Sequence, residues 1–111
     1  PISVGEFSFE LIEKKVIDNG DGSETEQKTS TGMAEAEIVV ECDSEATCIW
    51  VEKSLPAVRN QVTNSLIDVD RSELIDREGK RRIRKVIQDR LNGWIPDGQI
   101  VNVYFSRLTV E

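Results

Sequence analysis

The segment REGKRRIRK, residues 77 to 85, carries the densest positive charge in the chain, with five basic side chains between Lys80 and Lys85. Such a run could bind a phosphate backbone or an anionic lipid surface. The whole chain is acidic, however, with 21 acidic and 14 basic residues and a formal net charge of -7. No aromatic side chain interrupts the run to stack on nucleic-acid bases. The pattern therefore argues against a nucleic-acid partner and favours a solvated helix face or a contact surface for an acidic protein.

Metal binding and catalysis have little support in the residues present. The loop DNGDGS, residues 18 to 23, is similar to a calcium loop, but Gly20 occupies the second ligand position and no bidentate Glu follows at the required spacing. The chain contains no histidine, which removes the commonest general base and transition-metal ligand. No nucleophile elbow and no Gly-rich phosphate loop after a strand is present. We therefore expect no metal and no cofactor, and the residues alone give no support for an enzyme activity.

Cys42 and Cys48 are the only two cysteines. Two thiolates without a histidine do not complete the usual zinc tetrahedron. The pair could form a disulfide across a strand-to-helix corner in an oxidising compartment, or remain two small reduced core residues. The spacing alone does not decide between these alternatives.

Alternation of apolar and polar residues predicts two strands in the first half of the chain. Phe7, Phe9 and Leu11 share one side of a strand over residues 4 to 12. The second predicted strand, residues 34 to 42, is apolar on one side and places three acidic residues in water on the other: Glu35, Glu37 and Glu41. Residues 18 to 32 contain no hydrophobic side chain, so we expect a long, mobile hairpin loop between the strands.

The second half is predicted to be mostly helical. Apolar residues recur at helical spacing over residues 45 to 67, with Asp43 or Ser44 as N-cap and a kink or break just before Pro56. A short helical turn over 70 to 76 precedes a second long helix, which begins near Arg77. On that helix Ile83, Ile87, Leu91 and Trp94 point inward, whereas Arg81, Arg84 and Lys85 point outward. A last strand follows at residues 100 to 110, and its dense apolar content predicts a central position in the sheet.

The order strand, strand, helix, helix, strand predicts one α+β domain over residues 1 to 111, with the helices packed on one side of a small sheet. No stretch is apolar and long enough to cross a bilayer. The first residue is Pro1, which indicates a processed form or a fragment. We therefore expect either a soluble protein or one whose anchor has been removed.

Three ordered motifs carry a resemblance to a known family. They are LPAVRNQVTNSL (55 to 66), SELIDREGKRRIRKVIQDRLN (72 to 92) and IVNVYFSRLTVE (100 to 111). Together they resemble the periplasmic domain of FliL, the flagellar basal-body-associated protein, whose corresponding motifs are Pro-x-Ile/Val-Arg, Gly-Lys followed by a helix, and Val-Tyr-Phe. The resemblance extends over most of the chain from Phe7 onward.

The resemblance implies an SPFH/stomatin-like domain in the periplasm, anchored in the inner membrane by a single N-terminal helix that this sequence lacks. It implies a homo-oligomeric ring around the periplasmic linker of the stator protein MotB, at the flagellar basal body, which supports activation of the MotA/MotB stator and torque. The family has no catalytic residues. The alternative is an SPFH-like periplasmic module that serves another membrane complex.

Two residue roles follow from this setting. An oxidising periplasm favours a Cys42–Cys48 disulfide over reduced thiols. The basic side chains of Arg81, Arg84 and Lys85 are expected to meet an acidic strand surface of a neighbouring subunit, formed by Glu35, Glu37 and Glu41. Such a head-to-tail contact closes into a ring when the rotation between subunits permits.

Overall fold

The computed structural model describes residues 1–111 and has the predicted α+β architecture, with a four-stranded sheet and four helices. The elements follow one another along the chain as β1 (Ile2–Asp18), β2 (Glu24–Cys42), α1 (Glu45–Lys53), α2 (Leu55–Ser65), β3 (Val69–Asp70), α3 (Arg71–Ile75), α4 (Arg77–Trp94) and β4 (Ile100–Val110). One cluster of 20 buried apolar residues joins the inner face of the sheet to the helices. This single core explains why the helices all lie against one face. It contains Ile83, Ile87 and Leu91 of α4 as predicted, whereas the prediction for Trp94 was wrong: this last residue of the helix is 41% exposed.

The spatial order of the strands is β3-β1-β2-β4, so β4 is an edge strand. The prediction of a central position for β4 was wrong. Only Ile100 and Val103 of this strand are fully buried, whereas Val101 and Tyr104 are 40% and 43% exposed. Several of its apolar side chains therefore lie on surface, and apolar content alone did not distinguish an edge strand from a central one.

The hairpin between β1 and β2 is much longer than predicted. Antiparallel pairing continues to Asp18 and Glu24, which leaves a turn of only residues 19 to 23. The predicted loop over 18 to 32 was therefore wrong in its extent. The backbone hydrogen bonds that join two strands need no apolar side chain, so a polar segment can still form a strand. A salt bridge of 2.7 Å between Lys28 and Asp68 holds this segment near its base.

The helix boundaries follow the local signals in the sequence. Ser44 caps α1 by accepting a hydrogen bond from the Thr47 N–H, as predicted. The predicted break before Pro56 is confirmed, because Ser54 separates α1 from α2 and Pro56 lies in the first turn of α2. A capping box between Asp70 and Glu73 begins α3.

Helix α4 packs unusually close to the preceding helix. Gly79 in its first turn is buried, and a Cβ atom placed there would lie 2.6 Å from Glu73 Cα, well inside van der Waals contact. Only glycine permits this approach of the two backbones. The single Gly of the REGKRRIRK segment is thus a packing residue.

The molecule is elongated, with principal extents of 56 × 28 × 24 Å and a radius of gyration of 16.2 Å. A compact chain of this length would have a radius of about 13 Å. The excess comes from the distal part of the hairpin, residues 13–30, whose strands pair with each other alone and whose residues 13 to 30 are all exposed. We call this segment the ribbon.

Candidate functional site

The predicted basic surface lies on the outer side of α4, beside the edge strand. Arg81 and Lys85 are exposed and Arg84 is half-buried. Together with Gln88, Asn102 and Val103 they line a groove between α4 and β4, which we call the α4–β4 groove. The structure therefore places all three predicted basic residues on one surface.

Most of the positive charge in the groove is not paired with a carboxylate of the same chain. Lys85 forms a salt bridge of 2.9 Å with Asp89 on its own helix. Arg81 and Arg84 form no salt bridge with any residue of the chain. Two guanidinium groups are thus available to a carboxylate from another molecule, which they can bind in a bidentate manner.

The predicted acidic residues all lie on β2, but their side chains differ in availability. Glu35 is exposed, whereas Glu37 and Glu41 are half-buried. Glu41 accepts hydrogen bonds from Asn102 Nδ2 at 3.2 Å and from the Tyr104 hydroxyl at 3.4 Å. Glu41 therefore already has partners on β4 within its own chain.

Glu37 is held by neighbours on both strands that flank it. It accepts hydrogen bonds from the Ser106 hydroxyl and, at 3.3 Å, from the Ser3 hydroxyl. These bonds, the Ser106 bond first, together with the nearby positive charge of Arg107, lower the pKa of Glu37 below its ordinary value. The carboxylate is therefore stabilised in its charged form by neighbours on the strands that flank it.

No salt bridge joins the basic residues of α4 to the acidic residues of β2. Within one chain the structure brings each set together but does not bring the two sets into contact. Any pairing between them would require a second molecule.

The two cysteines form a disulfide in the structure, with a Cα–Cα distance of 5.7 Å. Cys42 is the last residue of β2 and Cys48 lies in α1. The bond therefore links the sheet to the first helix across the corner between them.

The turn of the hairpin does not form a metal site. Asp18 accepts a hydrogen bond from the Gly20 N–H and Asp21 accepts one from the Ser23 N–H, each at 2.9 Å. The hydroxyl and the N–H of Ser23 lower the pKa of Asp21. These carboxylates complete the turn itself, and no group of three or more metal-binding side chains occurs in the structure.

Arg59 has a structural role that the sequence reasoning missed. Strand β1 contains a bulge at Gly5, whose φ of 107° is readily accessible only to glycine. Arg59 of α2 donates hydrogen bonds to the carbonyl oxygens of Val4 (2.6 Å) and Glu6 (2.9 Å) on either side of the bulge. Its guanidinium also lies 4.3 Å from the centre of the Phe7 ring. The Arg of the Pro-x-Val-Arg motif therefore fixes a sheet irregularity, and its position in that motif was the available signal.

A second arginine holds the opposite end of the sheet. Arg71 Nη1 donates hydrogen bonds to the carbonyl oxygens of Thr31 (2.8 Å) and Glu111 (2.7 Å). Thr31 lies at the second irregularity of the β1–β2 pairing, where the ribbon leaves the sheet. Arg71 therefore fixes the base of the ribbon and the end of β4 together.

The chain combines a helix-covered sheet with a basic surface on α4 and an acidic surface on β2. The family model of the flagellar basal body-associated protein FliL matches residues 19–110, most of the chain. The chain therefore belongs to the FliL family and is associated with the flagellar basal body. No curated protein matches it. Among the helices of the chain, none combines the length and the apolar character needed to span a bilayer.

Proposed function

We propose that this chain is a periplasmic, ring-forming domain of the flagellar motor, anchored in the inner membrane by a single helix preceding Pro1. In this role the ring surrounds the periplasmic linker of MotB and supports activation of the MotA/MotB stator and torque. The domain is of the SPFH/stomatin-like type and has no catalytic function. The observation that carries the proposal is the FliL family match over residues 19–110.

The surfaces of the structure support self-association. The α4–β4 groove offers free guanidinium groups, whereas the chain as a whole has a net charge of -7. A basic patch on an acidic protein is complementary to other regions of the same protein, so copies can meet head to tail. In the proposed contact Arg81, Arg84 and Lys85 of one subunit face the acidic surface of Glu35, Glu37 and Glu41 of the next.

The domain in dilute solution is expected to associate weakly. Each copy carries the same negative charge, so the copies repel one another at low salt. Anchoring in a membrane raises the local concentration and aligns the subunits, which favours the multivalent closure of a ring. The relevant test is therefore made with the membrane-anchored protein.

The test reverses the charge of the groove in the anchored protein with Arg81→Glu, Arg84→Glu and Lys85→Glu. Cross-linked oligomers are expected to disappear and swimming to be impaired, while the fold is retained because none of the three side chains belongs to the buried core. A matched control changes Lys53, Arg82 and Arg90 to Glu, which gives the same charge change outside the groove. Normal oligomers and swimming in the groove variant would exclude this surface as the ring contact. Absence of oligomers in the unaltered anchored protein would refute ring formation itself.

A further inference from the structure

Beyond its base the ribbon packs against no other part of its own chain, and the Lys28–Asp68 salt bridge is its one ion pair with the rest of the fold. Six residue pairs, from Glu13–Thr29 to Asp18–Glu24, extend beyond the sheet, a length of about 20 Å at ~3.4 Å per pair. No third strand and no helix covers them, and Val16 and Ile17 are 66% and 43% exposed. A two-stranded hairpin without a packing partner is only marginally stable in water. The extent of this pairing therefore points to a surface on which the ribbon rests.

The distal end of the ribbon is strongly acidic. Residues 18–26 contain four carboxylates, from Asp18, Asp21, Glu24 and Glu26, and no basic side chain. Glu24 and Glu26 form no salt bridge within the chain and belong to no turn hydrogen bond. Their charge is thus available to another molecule, in contrast to that of Glu37 and Glu41.

The α4–β4 groove has the complementary charge and an open strand edge. The side chains of Gln88 and Asn92 in α4 donate hydrogen bonds to the carbonyl oxygens of Ile100 and Val101 at the start of β4. Beyond this point, the outer edge of β4 has no neighbouring strand, because β4 is the last strand of the sheet. The exposed edge of a sheet can accept an additional strand from another chain. The guanidinium groups of Arg81 and Arg84 lie beside the same edge.

We propose that the ribbon of one copy lies in the α4–β4 groove of a second copy and extends its sheet along β4. The carboxylates of Glu24 and Glu26 face Arg81, Arg84 and Lys85 in this arrangement. The inference rests on the proposed self-association, but it names Glu24 and Glu26 in place of Glu35, Glu37 and Glu41 as the carboxylates that meet the basic residues, because Glu37 and Glu41 already have partners within their own chain. Each copy has one ribbon and one groove, so the contact is head to tail and leads to a ring or a filament.

Zero-length cross-linking tests the contact directly. A carbodiimide joins a carboxylate to a lysine only when the two are in contact, so Glu24 or Glu26 is expected to be linked to Lys85. The 111-residue chain is treated at a concentration on the order of 1 mM, where weak complexes are populated, as an equal mixture of ¹⁴N- and ¹⁵N-labelled copies. About half of the ribbon–groove peptides are expected to combine the two labels. The link between Lys85 and Asp89, which pair at 2.9 Å within one helix, provides an internal reference that never mixes labels.

Exchanging the charges of the ribbon and the groove then tests whether the two pair directly. The association constant of each variant is measured by sedimentation equilibrium. The ribbon variant Glu24→Lys, Glu26→Lys and the groove variant Arg84→Glu, Lys85→Glu are each expected to weaken association about tenfold. The chain with all four changes is expected to recover most of the loss. The control Glu45→Lys, Glu52→Lys changes the same charge on α1 and is expected to weaken association no more than about twofold, since these exposed residues lie outside the groove.

A shortened ribbon provides a variant that removes the whole distal segment, including its four carboxylates, instead of reversing two charges. Residues 16 to 26 are replaced by Asn-Gly, which joins the paired residues Lys15 and Gln27 by a two-residue turn. The melting temperature is expected to change little, because the removed residues are all exposed, whereas self-association is expected to be lost.

Each outcome has a distinct meaning. Loss of association in the groove variant but not in the ribbon variants would refute the ribbon contact and leave the proposed ring interface with Glu35, Glu37 and Glu41. Ribbon–groove links that never mix labels would refute contact between copies. Failure of the four-residue exchange to restore association would refute direct pairing. If the unaltered chain does not associate at ~1 mM and the anchored protein gives no cross-linked oligomers, both this inference and the proposed ring are wrong.

Discussion

The contribution of Arg59 to stability can be tested with the substitution Arg59→Met, which keeps the aliphatic length and removes the guanidinium. The change deletes hydrogen bonds of 2.6 and 2.9 Å to the Val4 and Glu6 carbonyl oxygens and the contact with the Phe7 ring. Hydrogen bonds from a charged donor contribute about 1.5–3 kcal/mol each. Because Arg59 is only half-buried, the lower end of that range applies, and the ring contact adds about 0.5–1 kcal/mol.

The expected loss is therefore about 3.5–4 kcal/mol of unfolding free energy, a large part of the ~5–15 kcal/mol that a domain of this size has. The corresponding fall in melting temperature is on the order of 14–16 °C, at ~4 °C per kcal/mol. Equilibrium urea unfolding measures the loss, and an unchanged slope would show that the native state remains compact. Arg59→Lys keeps the charge but lacks the two-pronged geometry needed for both carbonyl groups, so an intermediate loss is expected.

The matched control is Arg82→Met, because Arg82 is exposed on α4 and forms no salt bridge. Its effect is expected to stay within about 0.5 kcal/mol. Equal losses for Arg59→Met and Arg82→Met would refute the role of Arg59 in holding the bulge. In that case the arginine of this motif would need an explanation outside the fold, such as contact with a partner.

Three further predictions concern other features of the fold. Gly79→Ala is expected to lower the stability of the fold, although replacing a glycine inside a helix by alanine ordinarily raises it, because the new Cβ would lie 2.6 Å from Glu73 Cα. A melting temperature equal to or above that of the unaltered chain would contradict this packing. The Cys42→Ser, Cys48→Ser variant is expected to lose about 2–3 kcal/mol, and finding two free thiols in the unreduced, unfolded protein would exclude the bond in solution. The Ser72 N–H and hydroxyl lower the pKa of Asp70, so its contribution is present above the unfolded pKa and is lost as pH falls through the folded value. The stability difference between the unaltered chain and Asp70→Asn is accordingly expected to shrink below about pH 4, and a difference that does not vary with pH would show that this ionisation contributes nothing.

The sequence by itself determined the type and order of most elements. Helical periodicity, the Ser44 cap and Pro56 are local signals, since a helix satisfies its hydrogen bonds within one segment. The structure accordingly confirmed the interrupted helix, the long basic helix and the final strand. The ordered motifs also predicted the family, which the match over residues 19–110 confirmed.

The residues of the candidate surface were partly predictable for the same reason. Arg81, Arg84 and Lys85 follow from helical spacing, and Glu35, Glu37 and Glu41 from strand alternation. Neither pattern shows which carboxylates already have partners. Three of the hydrogen bonds that engage Glu37 and Glu41 come from β4, more than 60 positions further along the chain, and one comes from Ser3 of β1.

Only the tertiary structure decided the position of β4, the length of the ribbon and the role of Arg59. Each depends on contacts between segments that are far apart in the sequence. The strand order depends on which backbones pair, and the ribbon depends on backbone hydrogen bonds that leave no pattern in the side chains. The role of Arg59 depends on two carbonyl groups of β1. A strand must find its hydrogen-bond partners outside itself, so its side chains record which face is buried but not which neighbour it has. The edge of β4 and the exposed ribbon, the two features on which the proposed contact between copies rests, are for that reason properties of the folded chain alone.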